Sequence, residues 1–183
     1  MRAREQSNRF ASGFTLIELM VTIAVLAIFM AIAAPSLQRF ILQQRIKAAV
    51  SEFNRGLMLA RAEAIRRNQR VVFAARAANC NDFKDGWQIF VDTGTKDQCF
   101  NGTDVLVTQS DPLDTALSVA WQNADANKTY LIFAPTGAAM MSNGSFGASR
   151  WTVSVPSDTG IEAKSVCVNA YGRVRTATGA ACT

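Results

Sequence analysis

Apolar positions along the chain follow two regimes. Residues 14–34 are almost continuously apolar, interrupted only by Thr15, Glu18 and Thr22. A run of that length crosses the hydrocarbon core of a bilayer as a helix, which takes about 20 residues. Further on, Ile46, Val50, Phe53, Leu57, Ala60 and Ala64 recur at steps of four and three, the stripe of one helix face. The phase is unbroken between the two, so one helix is predicted over 14–67. Pro35, lacking an amide donor, would kink or loosen it, and Asn68 would stop it. From Val71 the period drops to two. Segments 71–75, 87–91, 105–108, 117–121, 130–133, 151–155, 165–168 and 173–176 read as short strands set apart by Gly, Asn, Asp and Pro. The expected fold class is α+β: a long N-terminal helix, transmembrane in its first half, whose amphipathic second half packs on antiparallel β-sheets.

Glu18 is the anomaly in this pattern. An ionised side chain inside a membrane-spanning helix costs roughly 2.5–3.5 kcal/mol on insertion scales unless a partner meets it. The preceding segment is short and polar, with Arg2, Arg4 and Arg9 against Glu5, and a positive flank of this kind stays cytoplasmic. Ala31, Ala33 and Ala34 imitate the small-x-small site of a cleaved secretory signal. Against that reading, the apolar run is too long for a signal core and passes into the amphipathic stripe without a break.

The heptapeptide Gly13-Phe14-Thr15-Leu16-Ile17-Glu18-Leu19 resembles the processing site of type IV pilins and of the pseudopilins of type II secretion. The resemblance implies that a prepilin peptidase cuts between Gly13 and Phe14 and methylates the new amino terminus. It also implies that Glu18 pairs with the terminal amine of a neighbouring subunit during assembly. A carboxylate in lipid is tolerable on those terms, because the partner brings the cation. The expected organisation is a leader at 1–13, a membrane or filament-core half-helix at 14–37, an amphipathic half-helix at 38–70, and a β-rich globular domain at 71–183. The expected location is the bacterial inner membrane, with the C-terminal domain periplasmic, and then a pilus fibre at the cell surface. Expected partners are other major and minor pilins, the peptidase, and the inner membrane before assembly. Residues 60–72 followed by Gly86-Trp87-Gln88-Ile89-Phe90-Val91-Asp92 are similar to the GspH/FimT branch, whose minor subunits place two antiparallel sheets against the helix. Residues 97–147 carry no matching motif.

Charge refines the picture. The formal net charge is +5, and removing the leader's three Arg and one Glu leaves +3. Residues 38–70 hold Arg39, Arg45, Lys47, Arg55, Arg61, Arg66, Arg67 and Arg70 against Glu52 and Glu63. Residues 71–149 are net acidic and 150–183 net basic, so a basic helix lying against an acidic domain, and near anionic headgroups, is the simplest expectation. There is no histidine, which excludes the usual triads and cysteine–histidine dyads. The aspartates Asp82, Asp85, Asp92, Asp97 and Asp104 fall in or near turns, where Asp satisfies backbone amides. No cofactor, no metal site and no enzymatic activity are expected. The cysteines Cys80, Cys99, Cys167 and Cys182 lack metal-ligand spacing, and an exported domain can form disulfides. Of the three possible pairings, Cys80–Cys99 with Cys167–Cys182 closes two local loops. A loop of about 15 residues contributes about 3 kcal/mol through the unfolded state.

The tail carries the candidate binding chemistry. Tyr171-Gly172-Arg173-Val174-Arg175-Thr176 sets two guanidiniums at i and i+2, on one face of a strand, with Val174 behind them. Such a pair suits a phosphate backbone, and equally suits a solvated face or an ion pair with the acidic middle region. Gly172-Arg173-Val174-Arg175 resembles the C-terminal Gly-Arg-x-Arg motif of FimT-type minor pilins. The resemblance implies sequence-independent binding of double-stranded DNA for uptake in natural transformation, at Gly172, Arg173, Arg175 and Thr176. Lys164 and Arg150 extend the patch if the last strands lie side by side. The alternative is a purely structural minor pilin or type II secretion pseudopilin that initiates or caps the filament.

Overall fold

The computed structural model describes residues 13–77, 80–93, 99–123, 129–141, 143–179 and 181–182; Arg2, Arg4, Glu5, Arg9 and Asp97 lie outside them. The chain divides into two compact units, Met1–Arg39 and Phe40–Thr183. One helix, α1 (Leu16–Arg67), runs from the first into the second and continues through Pro35 without a break.

In the first unit every described residue is exposed, and the helix is long and apolar enough to cross a membrane. Its polar side chains are largely self-contained. The Thr22 hydroxyl donates to the Leu19 carbonyl and the Ser36 hydroxyl to the Ala33 carbonyl, both at 2.8 Å. Bonds of this kind let hydroxyls sit in hydrocarbon without water. Glu18 is left as the one carboxylate of the apolar run.

In the second unit the helix turns Ile46, Ala49, Val50, Phe53, Gly56, Leu57, Ala60 and Ala64 inward, which includes every position of the sequence stripe. Gly56 allows the closest approach, since a Cβ there would lie 2.8 Å from the Trp87 ring. Asn68 ends the helix in the left-handed region, at φ 54°. Its N–H donates to Ile65 and the N–H of Gln69 to Ala64, so two otherwise orphaned carbonyls are satisfied.

Among the described residues nine strands follow: β1 (Val71–Ala75), β2 (Trp87–Val91), β3 (Val105–Gln109), β4 (Ser118–Asn123), β5 (Tyr130–Phe133), β6 (Ala139–Met140), β7 (Ser149–Ser154), β8 (Lys164–Val168) and β9 (Val174–Thr178). They form a five-stranded sheet ordered β3-β2-β1-β5-β6 and a four-stranded sheet ordered β4-β7-β8-β9, with every pairing antiparallel. The eight expected strands are present, 71–75, 87–91 and 130–133 with the expected ends and the others with ends moved by one or two residues. The two-residue β6 has too little sequence to show a period.

The main core lies between α1 and the two sheets, around Phe53, Phe73, Trp87, Leu131, Phe133 and Trp151. Trp151 is fully buried, stacked on Trp121 at 5.8 Å and set edge-on to Phe73 at 5.8 Å, so it ties the two sheets together. A second cluster covers the other face of the larger sheet: Val72, Ala74, Phe90, Tyr130 and Ile132 pack with Cys80 and Cys99. Covering on both faces explains why β1 and β2 are buried at every position and read as continuous apolar runs rather than alternating ones. The disulfides are Cys80–Cys99 and Cys167–Cys182, the pairing that local loop closure favours.

The basic residues of α1 in this unit have specific uses. Arg45 pairs with Asp114 at 2.9 Å. Glu63 bridges Arg66 and Arg67, each at 2.6 Å, and their hydrogen bonds hold its carboxyl down from the ordinary 4.5 to about 2. The simple expectation of a basic helix against an acidic domain is met at the Arg45–Asp114 contact. Arg66 and Arg67 share the Glu63 carboxylate within the helix itself.

Candidate functional site

Two regions carry the expected functional residues. At the N-terminus, Gly13 and Phe14 are exposed and precede the first turn of α1. Thr15 caps that turn: its Oγ1 accepts the Glu18 N–H at 3.3 Å and its carbonyl accepts the Leu19 N–H at 3.2 Å. Thr15-Leu16-Ile17-Glu18 therefore has the spacing of a capping box, with the carboxylate in the first turn where the helix dipole favours negative charge. Apolarity dominates the segment so strongly that the sequence reading passed over this cap.

At the other end of the chain, β8 and β9 join through a tight turn of positive-φ geometry. The amides of Tyr171 and Arg173 both donate to the Asn169 Oδ1, at 3.1 and 2.9 Å, and the Gly172 N–H donates to the Asn169 carbonyl at 2.8 Å. Gly172 adopts φ 73°, and a side chain there would meet the Gly137 carbonyl oxygen. Arg61 of α1 locks the arrangement, its Nε donating to that Gly137 carbonyl at 3.0 Å and its guanidinium to the Tyr171 carbonyl at 3.3 Å. Arg61 looked like one more charge of a basic helix; its contacts lie 76 and 110 residues away in sequence. Tyr171 is left 80% exposed beside the exposed Arg173.

The six expected binding residues do not form one patch. Arg173 lies in the turn, because β9 starts only at Val174. Arg175 lies in β9, and the ladder puts it level with residues on the three other strands: Gln122 pairs with Arg150, Arg150 with Cys167, and Cys167 with Arg175. That rung borders a cleft of about 350 Å³ whose walls include Gln122, Arg150, Cys167, Asn169, Arg175 and Cys182. With strands about 4.8 Å apart, the two arginine positions stand about 10 Å apart on either side of the disulfide. The Arg150 Nε is buried there without a hydrogen-bond partner among the described residues. Lys164 and Thr176 line a different cleft, of about 380 Å³, together with Lys47 and Asn54 of α1. Pleating separates them: neighbours along a strand face opposite sides of the sheet, so Thr176 cannot share the face of Arg175. Among the described residues no group of three or more Cys, Asp or Glu is placed to hold a metal ion.

The prokaryotic N-terminal methylation motif matches residues 8–34, which span Gly13, Phe14 and Glu18. The fold is similar to that of the type IV minor pilin FimU of Pseudomonas aeruginosa, with a TM-score of 0.56 at 16% identity over 79% of this chain and 99% of that one. The minor pseudopilin EpsH of the type 2 secretion system of Vibrio cholerae is also similar, with a TM-score of 0.53 at 15% identity over 73% and 97% of the two chains. No curated protein matches the sequence. The family model described as type II transport protein GspH matches residues 49–172, from the buried face of α1 through the larger sheet and three strands of the smaller one to the Gly172 turn, and the chain belongs to the GspH family.

Proposed function

We propose that the protein is a structural minor subunit of a pilin-type filament. It is made as a precursor, cut between Gly13 and Phe14, methylated at Phe14, held in the inner membrane by α1, and then assembled with other pilins. The observation that carries this reading is the first half of α1: exposed on all sides, internally satisfied at Thr22 and Ser36, and bearing one carboxylate at its start. Such a helix needs an apolar surrounding, and Glu18 needs a cation within it. The GspH match and the fold shared with a minor pilin and a minor pseudopilin support a filament role in a pilus or a type II secretion machine. The test is recovery of the subunit in sheared or isolated filaments, with mass measurement of its amino terminus. Methylated Phe14 as first residue is the expected result; a filament subunit that retains residues 1–13 would overturn the maturation step.

A second reading, in which the subunit also captures double-stranded DNA as a FimT-type minor pilin in natural transformation, is favoured by one observation. Arg150, Arg173 and Arg175 have no ion-pair partner among the described residues, and all three lie toward the β8–β9 end of the smaller sheet. The GspH match ends at Gly172, so it lends nothing to Arg173 or Arg175. Phosphate-backbone binding predicts micromolar or weaker affinity that weakens as salt rises. It also predicts that Arg173→Gln/Arg175→Gln loses binding to duplexes of any sequence. Binding indifferent to salt or to both substitutions would remove DNA capture and leave the structural role.

A further inference from the structure

The cleft on the Gln122–Arg150–Cys167–Arg175 rung contains a charged group that the fold leaves unsatisfied. Arg150 lies in β7, second from one edge of its sheet, with strands paired on both sides. Its Nε is buried without an acceptor among the described residues, and neither it nor Arg175 has a carboxylate partner among them. A buried N–H of a charged group left unmade costs free energy comparable to a lost charge-assisted hydrogen bond, so such groups are ordinarily found paired. The walls also include Asn169, whose Oδ1 is already taken by the Tyr171 and Arg173 amides, together with Ala148, Val168 and the weakly polar Cys167–Cys182 disulfide. A volume of about 350 Å³ lies within the range of small-molecule sites, roughly 300–1,000 Å³.

We infer that this cleft is a binding site for the oxyanion group of a small molecule, a carboxylate or a phosphate, gripped between the guanidiniums of Arg150 and Arg175. Arginine forks match both anions bidentately, and two forks facing one space neutralise a charge that neither could hold alone at a solvated surface. Gln122, on the same rung, supplies an amide able to donate to the same ligand. Cys182, bonded to Cys167, forms part of the cleft wall. The site does not require DNA capture: it shares Arg150 and Arg175 with that reading, but Arg173, which DNA capture also uses, is not among the cleft walls.

The experiment uses the full chain in non-ionic detergent micelles, with arginine side chains labelled for NMR, and follows the Arg150 Nε–H resonance. Inorganic phosphate, acetate and chloride are added at matched ionic strength. A saturable shift with phosphate or acetate, absent with chloride, is the expected result, and the tighter of the two identifies the anion class. Arg150→Gln, followed at Arg175, and Arg175→Gln, followed at Arg150, should each weaken binding about tenfold or more. Arg173→Gln should leave it within about twofold while still lowering any affinity for duplex DNA, which separates the two readings. Chloride acting as well as phosphate, or undiminished binding in an Arg150→Gln/Arg175→Gln protein whose amide spectrum shows a folded domain, would overturn the site.

Discussion

Glu18→Ala is expected to leave the protein inserted and folded while lowering its recovery in filaments by about tenfold or more. The substitution removes a charge that an apolar helix carries at a cost of roughly 2.5–3.5 kcal/mol, so insertion itself becomes easier. The β-rich unit has its own core, to which Glu18 contributes nothing. What changes is assembly. If the carboxylate meets the amino terminus of a neighbour inside an apolar filament core, deleting it leaves that ammonium buried and unpaired, and breaking a buried pair costs about 3–5 kcal/mol. Membrane levels and thermal unfolding report the first half of the expectation, and filament fractionation the second. Glu18→Gln is the informative companion, since it keeps hydrogen-bonding capacity at the capped first turn and removes only the charge. Equal loss in both variants assigns the effect to the ion pair. Normal incorporation of Glu18→Ala would refute the pairing outright.

The largest effect on stability is expected from Gly172→Ala. A left-handed backbone costs an alanine about 1–2 kcal/mol relative to glycine. At Gly172 the added methyl also collides with the Gly137 carbonyl oxygen, which Arg61 already holds. Relief requires moving the β8–β9 turn or the turn before β6, both tied to Arg61, so a loss of about 3 kcal/mol or more follows, several degrees in melting temperature for a domain of this size. Gly144→Ala provides the control. Gly144 has a similar φ of 84°, but a Cβ there meets nothing within 4 Å, so it should show the backbone cost alone. Equal melting temperatures for the two variants would mean that the crowding at Gly137 is relieved without cost.

These two residues also mark what the sequence made readable. Glu18 stands out against an apolar run, and the stripe from Ile46 to Ala64 has the period of a helix, so anchor, helix face and strand set were all legible. Periodicity reports burial along one element. It does not report which elements are neighbours, and the sheet order β4-β7-β8-β9 depends on pairings between distant segments. For that reason Arg150, Lys164, Arg175 and Thr176 read as one basic patch, while the register assigns the two arginines to one cleft and Lys164 with Thr176 to another. Arg61 was illegible in its role for the same reason: both of its acceptors are backbone carbonyls, which have no signature in sequence. The disulfides were more accessible because both close short loops, of 19 and 15 residues.

Between the end of α1 and the start of β1 lie only Asn68, Gln69 and Arg70. A tensile load carried along the helix therefore reaches the domain through three residues and enters at the centre of the larger sheet. There β1 is laced by five residue pairs to β2 on one side and four to β5 on the other. Extraction of that strand requires both ladders to fail, whereas β3 and β6 at the margins are each held by one. The chain thus places a strand held on both sides where a pull would arrive first, and mechanical failure of the larger sheet under load should begin at its margins rather than at β1.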